Sequence, residues 1–221
     1  MDDLKGRVAL VTGAGRGVGR VLAEGFGARG ARVAANDISP VNLDGVVESI
    51  NASGGEARAF VQDVSKKFAV QTLVNAVTDV WGKIDILVNA ANVEPTFSLL
   101  EMDDWDWHRT LDVNLTGAFL MTQSVGRIMR AQGGGVIINV VPLAGRYEAL
   151  DRAAYVASKM GLLGLTLQAA RELESYGVRV HAIGTGLKGL GYARSVQADV
   201  MDVVLGLCDP EVLTGQIVEI A

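Results

Sequence analysis

The first residues able to do chemistry are glycines. Thr12-Gly13-Ala14-Gly15-Arg16-Gly17-Val18-Gly19 follows a β-branched apolar run, Arg7–Thr12, and opens into an amphipathic stretch, Arg16–Arg29. Glycines at this spacing allow a tight turn, bring backbone amides close to a pyrophosphate, and let a helix pack closely on a strand. The positive end of the helix dipole then faces the phosphates. Gly13, Arg16, Gly17, Val18 and Gly19 are therefore the expected phosphate-binding positions. The strand-turn-helix context is the one such a motif requires. Asp37 ends the next apolar run, at the distance from Gly19 expected of the acid that holds a ribose 2′-hydroxyl. A carboxylate there repels a 2′-phosphate, so NAD(H) is expected over NADP(H), although Arg16 and Arg32 offset part of that repulsion. The competing role for Asp37 is a turn or helix cap, since Ser39-Pro40 follows it.

These groups need a frame to hold them, and the pattern supplies one. Short β-branched runs at Arg7–Thr12, Ala31–Asn36, Glu56–Gln62, Ile84–Val88, Val136–Val141 and Val178–Ile183 alternate with longer amphipathic stretches. Those stretches are Arg16–Arg29, Pro40–Ala52, Lys66–Trp81, Asp112–Ala131 and Arg152–Tyr176. Several of the strands are apolar on both faces, which places them in a parallel sheet covered by helices on each side. The expected fold class is α/β, a Rossmann-like doubly wound sheet. No linker, low-complexity tract or repeat divides residues 1–221, so one domain is expected. The helix from Tyr155 is apolar around most of its circumference, and its surplus face calls for a second cover, a partner subunit. Trp105, Trp107 and His108 are read as anchors of the entry into the long helix, with no chemistry assigned.

Composition removes other classes. Lys plus Arg number 20 against 25 Asp plus Glu, and no basic block stands out, which argues against a nucleic-acid backbone as partner. Cys208 is the sole cysteine and His108 and His181 the two histidines, too few for an internal disulfide or a Cys/His zinc site. The acidic opening MDDLKGRVALV does not read as a signal peptide. The longest uncharged stretch, between Arg130 and Arg146, falls short of the ~18 residues of a membrane span and contains Gly133, Gly134, Gly135 and Pro142. A soluble, cytoplasmic protein without a metal is the expectation.

With these motifs assembled, the chain resembles the short-chain dehydrogenase/reductase family, and in particular its 3-oxoacyl reductase-like members. The likeness rests on Thr12-Gly13-x-x-x-Gly17-x-Gly19, on Asp63-Val64 after the third strand, on Asn114 in Asp-Val-Asn-Leu-Thr-Gly, and on Tyr155-Val-Ala-Ser-Lys159. The resemblance implies a carbonyl/secondary-alcohol oxidoreductase with Tyr155, Lys159 and Asn114 as catalytic residues. It adds Asp63, Val64, Asn89, Ala90, Tyr155, Lys159 and Thr185 to the cofactor contacts, and it implies a homodimer or homotetramer. The tyrosine and lysine also make physical sense, because positions i and i+4 share one helix face. An ammonium beside the phenol favours the phenolate and lowers a pKa that starts near 10, letting the tyrosine exchange a proton with a substrate oxygen.

Departures from the family pattern cluster at the chemistry. Pro142 stands where the resemblance expects the catalytic serine, and proline offers neither hydroxyl nor amide hydrogen. The usual Asn-Asn-Ala-Gly is Asn89-Ala90-Ala91-Asn92, and Asn92 is expected to need a left-handed backbone. Thr185-Gly186 replaces Pro-Gly, and Leu190 takes the place of a cofactor-contacting threonine. Asn139 or Thr185 could replace part of the serine's function. The segment near 187–212, where the family builds a substrate lid, is short, and Gly189, Gly191 and Gly206 make it look mobile. Two other readings follow. One is a cofactor-binding protein that has lost turnover. The other is a Rossmann-like protein that binds S-adenosylmethionine, which leaves Tyr155 and Lys159 unexplained.

Overall fold

A computed structural model describes residues 4–142, 149–184, 194–196 (backbone only) and 199–220. The strands are β1 (Val8–Thr12), β2 (Arg32–Asp37), β3 (Glu56–Val61), β4 (Ile86–Asn89), β5 (Gly135–Val140), β6 (Val178–Gly184), β7 (Arg194–Val196) and β8 (Ile217–Ile220). The helices are α1 (Gly17–Ala28), α2 (Pro40–Ala52), α3 (Lys67–Trp81), α4 (Asp104–Leu111), α5 (Gly117–Gln132), α6 (Ala153–Leu173) and α7 (Val200–Cys208). All strand pairings are parallel, in the order β3-β2-β1-β4-β5-β6-β8-β7. The fold is the expected Rossmann-like α/β sheet.

Every residue of β1 and β4 is buried, the signature of strands roofed on both faces. One face carries α1, α2 and α7, whose Leu22, Phe26, Leu43 and Val204 pack on Ala9, Val11, Val33 and Ile138. The other face carries α3 and α5, whose Leu73, Val77, Met121 and Val125 pack on Leu10, Leu87 and Ile137, and α6 completes it. After β1 the chain winds outward through β2 and β3, then returns to form β4 on the opposite flank of β1. The C-terminal ends of β1 and β4 thus border the crevice where the winding reverses, the place where open α/β sheets bind ligands.

Local signals explain the boundaries. Pro40 begins α2, where its missing N–H costs nothing. The Asp103 carboxylate caps α4 by accepting from Asp106 N at 2.7 Å. Between α4 and α5 the turns widen into a π-helix over Asp112–Thr116, so the helical run begins earlier than the sequence pattern indicates and carries Asn114 at its irregular turn. Such widened turns often mark functional positions.

Two expectations need correction. The stretch around Gly206 is helix α7, because Met201, Val204, Leu207 and Cys208 recur at helical spacing and bury against the sheet. Asn92 is not left-handed. Outside glycine, Asp151 (φ 64°) is the one positive-φ residue among those described, so the loop after β4 accepts a side chain at 92 without strain. Among the described residues no helix is long and apolar enough to cross a membrane.

Candidate active site

A cleft of about 990 Å³ opens over the C-terminal ends of β1, β2, β4 and β5. Gly13, Arg16, Gly17, Val18 and Gly19 line one wall. Gly13 has φ 64°, and a Cβ on it would lie 2.7 Å from the Ala91 Cα, so the turn and the loop after β4 touch through backbone. A Cβ on Gly19 would overlap the Gly13 carbonyl oxygen, which is how α1 comes close enough to aim its amino terminus into the cleft. The N-cap residue, Arg16, makes no side-chain capping bond, leaving the first N–H groups of α1 for a ligand.

Asp37 shapes the turn and also lines the cleft. Its Oδ1 accepts from Ser39 N at 3.1 Å and turns the chain toward α2, while its Oδ2 accepts from Gly15 N at 3.0 Å. Each carboxylate oxygen has a further lone pair for a ribose hydroxyl, and Asp37 lines the cleft beside Ile38. Asp63 and Val64 line the same end. Asp63 shapes its own turn by accepting from Ser65 N at 2.9 Å.

The loop after β4 is clamped from two sides. Thr12 Oγ1 accepts from Ala90 N at 3.1 Å and Ala91 N at 3.2 Å. Asn114 accepts from Val93 N at 2.8 Å and donates to Val93 O at 2.9 Å. The Asn114 amide also donates to Ser158 Oγ at 3.1 Å, and Ser158 donates to Tyr155 O at 2.7 Å. Ser158 is a positioning residue that the motifs do not single out, although it sits inside Tyr-x-x-x-Lys.

Beneath the floor runs a buried amide chain. Asn89 donates to Asn139 Oδ1 at 2.8 Å, and Asn139 donates to Thr166 Oγ1 at 2.8 Å. Asn139 is wholly buried in that chain and does not reach the cleft, so it does not replace a serine hydroxyl. Asn89 is likewise a floor residue, whereas its neighbour Ala90 lines the cleft. Thr185 and Leu190 lie outside the described residues.

At the far end Lys159 and Pro142 line the cleft, with Tyr155 beside them. Tyr155 and Lys159 are each 1% exposed. The Tyr155 hydroxyl donates to the Pro142 carbonyl oxygen at 2.8 Å. The Lys159 ammonium donates to Val140 O at 3.3 Å and lies 5.8 Å from the Tyr155 ring centre. Position 142 thus presents the phenol with a backbone acceptor rather than a side-chain hydroxyl.

Sequence reasoning missed one wall. Trp105, His108, Arg109 and Asp112 share one face of the helical run and line the cleft. Their i, i+3, i+4, i+7 spacing was the available signal. Arg109 stacks on Trp105, 5.1 Å from its ring centre. Asp104, through its carbonyl oxygen 2.8 Å from Nδ1 and then its carboxylate, raises the pKa of His108 above the ordinary value. Among the described residues no cluster of His, Cys, Asp and Glu is arranged to hold a metal. The glycine turn, the uncapped α1 and the acid after β2 fit a dinucleotide.

Residues 7–199 match the family model described as short chain dehydrogenase. A 3-oxoacyl-[acyl-carrier-protein] reductase of Synechocystis is 38% identical over 200 residues, covering 90% of this chain and 81% of the relative. A metagenomic short-chain oxidoreductase in complex with NADP superposes with TM-score 0.88 at 35% identity over 99% of both chains. An NAD+-bound xylitol dehydrogenase superposes with TM-score 0.80 at 32% identity, over 96% of this chain and 83% of that one. A Rossmann-like sheet, a glycine turn at its switch point and a Tyr-x-x-x-Lys pair at the end of one cleft accord with these likenesses, and the chain belongs to the short-chain dehydrogenase family of oxidoreductases.

Proposed function

We propose that the protein interconverts a small carbonyl compound and its secondary alcohol, with NAD(H) preferred as cofactor. The observation that carries this reading is the buried Tyr155–Lys159 pair at one end of the cleft whose other wall is the glycine turn. Gly13, Arg16, Gly17, Val18 and Gly19 would hold the pyrophosphate, Asp37 the adenosine ribose, Asp63 and Val64 the adenine, and Ala90 and Lys159 the remaining sugar. Thr185 is assigned a contact by resemblance alone. A bound nicotinamide supplies the hydride in reduction and takes it in oxidation.

Tyr155 would give its phenolic proton to the substrate oxygen in reduction and take it back in oxidation, and Lys159 favours the phenolate between the two. To do so, Tyr155 exchanges its bond to the Pro142 carbonyl for one to substrate. Asn114, tied to Ser158, positions that segment of α6. The preference for NAD(H) rests on the Asp37 carboxylate, which disfavours a 2′-phosphate. Of the segment near 187–212, α7 packs on the sheet, and the part preceding it would act as a short lid. The partly exposed apolar face of α6 (Val156, Met160, Leu167) supports a homodimer or homotetramer, which light scattering would test: a monomer at micromolar concentration refutes it. The single buried cysteine suits a reducing cytoplasm.

The deciding experiment is Tyr155→Phe, assayed with NADH on β-keto esters and polyhydroxy ketones. Turnover should fall by on the order of 10²–10⁴-fold, and unchanged turnover refutes the assignment. Pro142 supports a second reading, a protein that binds the cofactor and does not turn over. That reading expects NADH binding without activity until Pro142→Ser is introduced.

A further inference from the structure

Because every strand pairing is parallel, the sheet has two unlike edges. The C-terminal strand ends carry the active cleft, and the N-terminal ends of β1, β4, β5, β6 and β8 gather at the opposite edge. A second cleft, of about 870 Å³, opens there. That volume falls in the range of small-molecule sites. Lys5 and Arg7 at the entry to β1, Lys83 and Asp85 at the entry to β4, Glu174 after α6 and Arg179 of β6 supply its charged side chains. Four cations therefore meet two carboxylates, in a chain whose formal net charge is −5.

The partners of these groups show which charges are already compensated. Asp85 accepts from Val8 N at 2.7 Å and pairs with Lys83 at 2.9 Å, which accounts for both. Arg179 donates to Leu207 O at 2.8 Å and to Cys208 O at 2.9 Å, and so caps the C-terminal end of α7. Helix C-termini point toward this edge, and capping them is the ordinary use of a cation there. Arg7 and Lys5 do not serve it. Their side chains make no hydrogen bond or ion pair with any described residue, Glu174 included, although Arg7 is half-buried. A cation withdrawn from water is ordinarily paired. Arg7 instead has Arg179 for a neighbour, whose pKa is held below its ordinary value by burial and then by the Arg7 charge. Two guanidinium groups close enough to repel, one of them unpaired in a concave surface, are arranged for an anion.

We propose that this edge cleft is a second ligand site, which takes the phosphate group of a small phosphorylated compound between Arg7 and Lys5. The fork of Arg7 matches two phosphate oxygens, and a phosphate dianion offsets more of the Arg7–Arg179 repulsion than a single carboxylate does. Arg179 adds its field while keeping its cap on α7. No bond forms or breaks there, and the site lies at the other edge of the sheet from Tyr155. It is independent of the oxidoreductase reading, so the two can fail separately.

The test is calorimetric titration of glycerol 3-phosphate into the full chain with NADH present, since the glycine turn also offers amides to phosphate. The wild type should bind it, and sodium acetate at the same ionic strength should give no heat of binding. Arg7→Gln should weaken the affinity about tenfold or more. Lys5 is exposed, so Lys5→Gln keeps the fold and should weaken binding about threefold, a readout that stands even where Arg7→Gln fails to fold. Arg16→Gln, at the glycine turn, should leave the affinity within about twofold. A wild type that does not bind glycerol 3-phosphate overturns the proposal. So does binding that Arg16→Gln abolishes while Arg7→Gln and Lys5→Gln leave it unchanged, which would put the phosphate in the active cleft. Acetate bound as tightly as glycerol 3-phosphate overturns the phosphate assignment as well.

Discussion

Asn114→Ala should loosen the site and the fold together. Asn114 makes three hydrogen bonds, of 2.8, 2.9 and 3.1 Å, and is itself 1% exposed. Truncation strands the Val93 N–H and C=O, while Ser158 keeps its bond to Tyr155 O. Each stranded group costs about 1–3 kcal/mol when fully buried. Val93 borders the cleft, so water recovers part of that, and a total of about 2–3 kcal/mol is expected. For a chain of this size each kcal/mol moves the melting temperature by roughly 2–4 °C. The variant should therefore melt roughly 4–12 °C lower by circular dichroism, and NADH titration should show weaker binding because the Ala90–Val93 loop has lost one of its two clamps. Asn114→Asp is a useful companion, since it keeps an acceptor for Val93 N–H but loses both donations and sets a carboxylate against the Val93 carbonyl. It should be at least as destabilised at neutral pH. A melting temperature for Asn114→Ala within about 1 °C of wild type would refute the clamp.

Asp37→Asn keeps an acceptor for Ser39 N–H and removes the charge. NADPH affinity relative to NADH should rise about tenfold, near 1.4 kcal/mol, by competitive fluorescence titration, and an unchanged ratio means that Asp37 does not select the cofactor. His181 is wholly buried, accepts from Gln216 N at 3.3 Å, and has its pKa pushed down to about 4 by burial and then by the Arg179 charge. Because the unfolded chain binds that proton more readily, the neutral histidine's contribution is complete above pH 6.5 and is lost as pH falls toward 4. The shift corresponds to about 3 kcal/mol at most. His181→Leu should flatten that part of the acid limb in urea melts between pH 7 and 4, and a limb identical to that of the wild type rules His181 out as its source.

Much of the framework was legible in the sequence because its signals are local. Strands apolar on both faces, a proline starting α2, and a glycine turn between strand and helix all act over a few residues, and β1 to β6 and α1 to α3 fall within a residue or two of those expectations. The Tyr155–Lys159 pair was equally visible, since one helix turn suffices to bring i and i+4 together. The long helix was read less well, because nothing in Asp104–Gln132 announces the π-turn at Asn114. The α7 helix was obscured by Gly206, whose unfavourable propensity is overridden by burial of Met201, Val204 and Leu207.

The sequence by itself determined the fold class, the glycine turn between strand and helix, and the pairing of Tyr155 with Lys159 on one helix face, since each depends on periodicity or on neighbours along the chain. Only the tertiary structure decided which polar groups reach the cleft. In the sequence Asn139 reads as a polar group near the chemistry and Asn92 as a backbone position alone, yet parallel pairing of β4 with β5 sinks Asn139 into the floor beside Asn89. The clamps from Thr12 and Asn114, residues distant in sequence, leave Asn92 at the cleft with a buried and unpaired oxygen. The same packing gave Tyr155 the Pro142 carbonyl as its partner and put Trp105 and Arg109 on the opposite wall. Such outcomes depend on which strands become neighbours, and that is settled by the burial of whole elements rather than by any local run of residues.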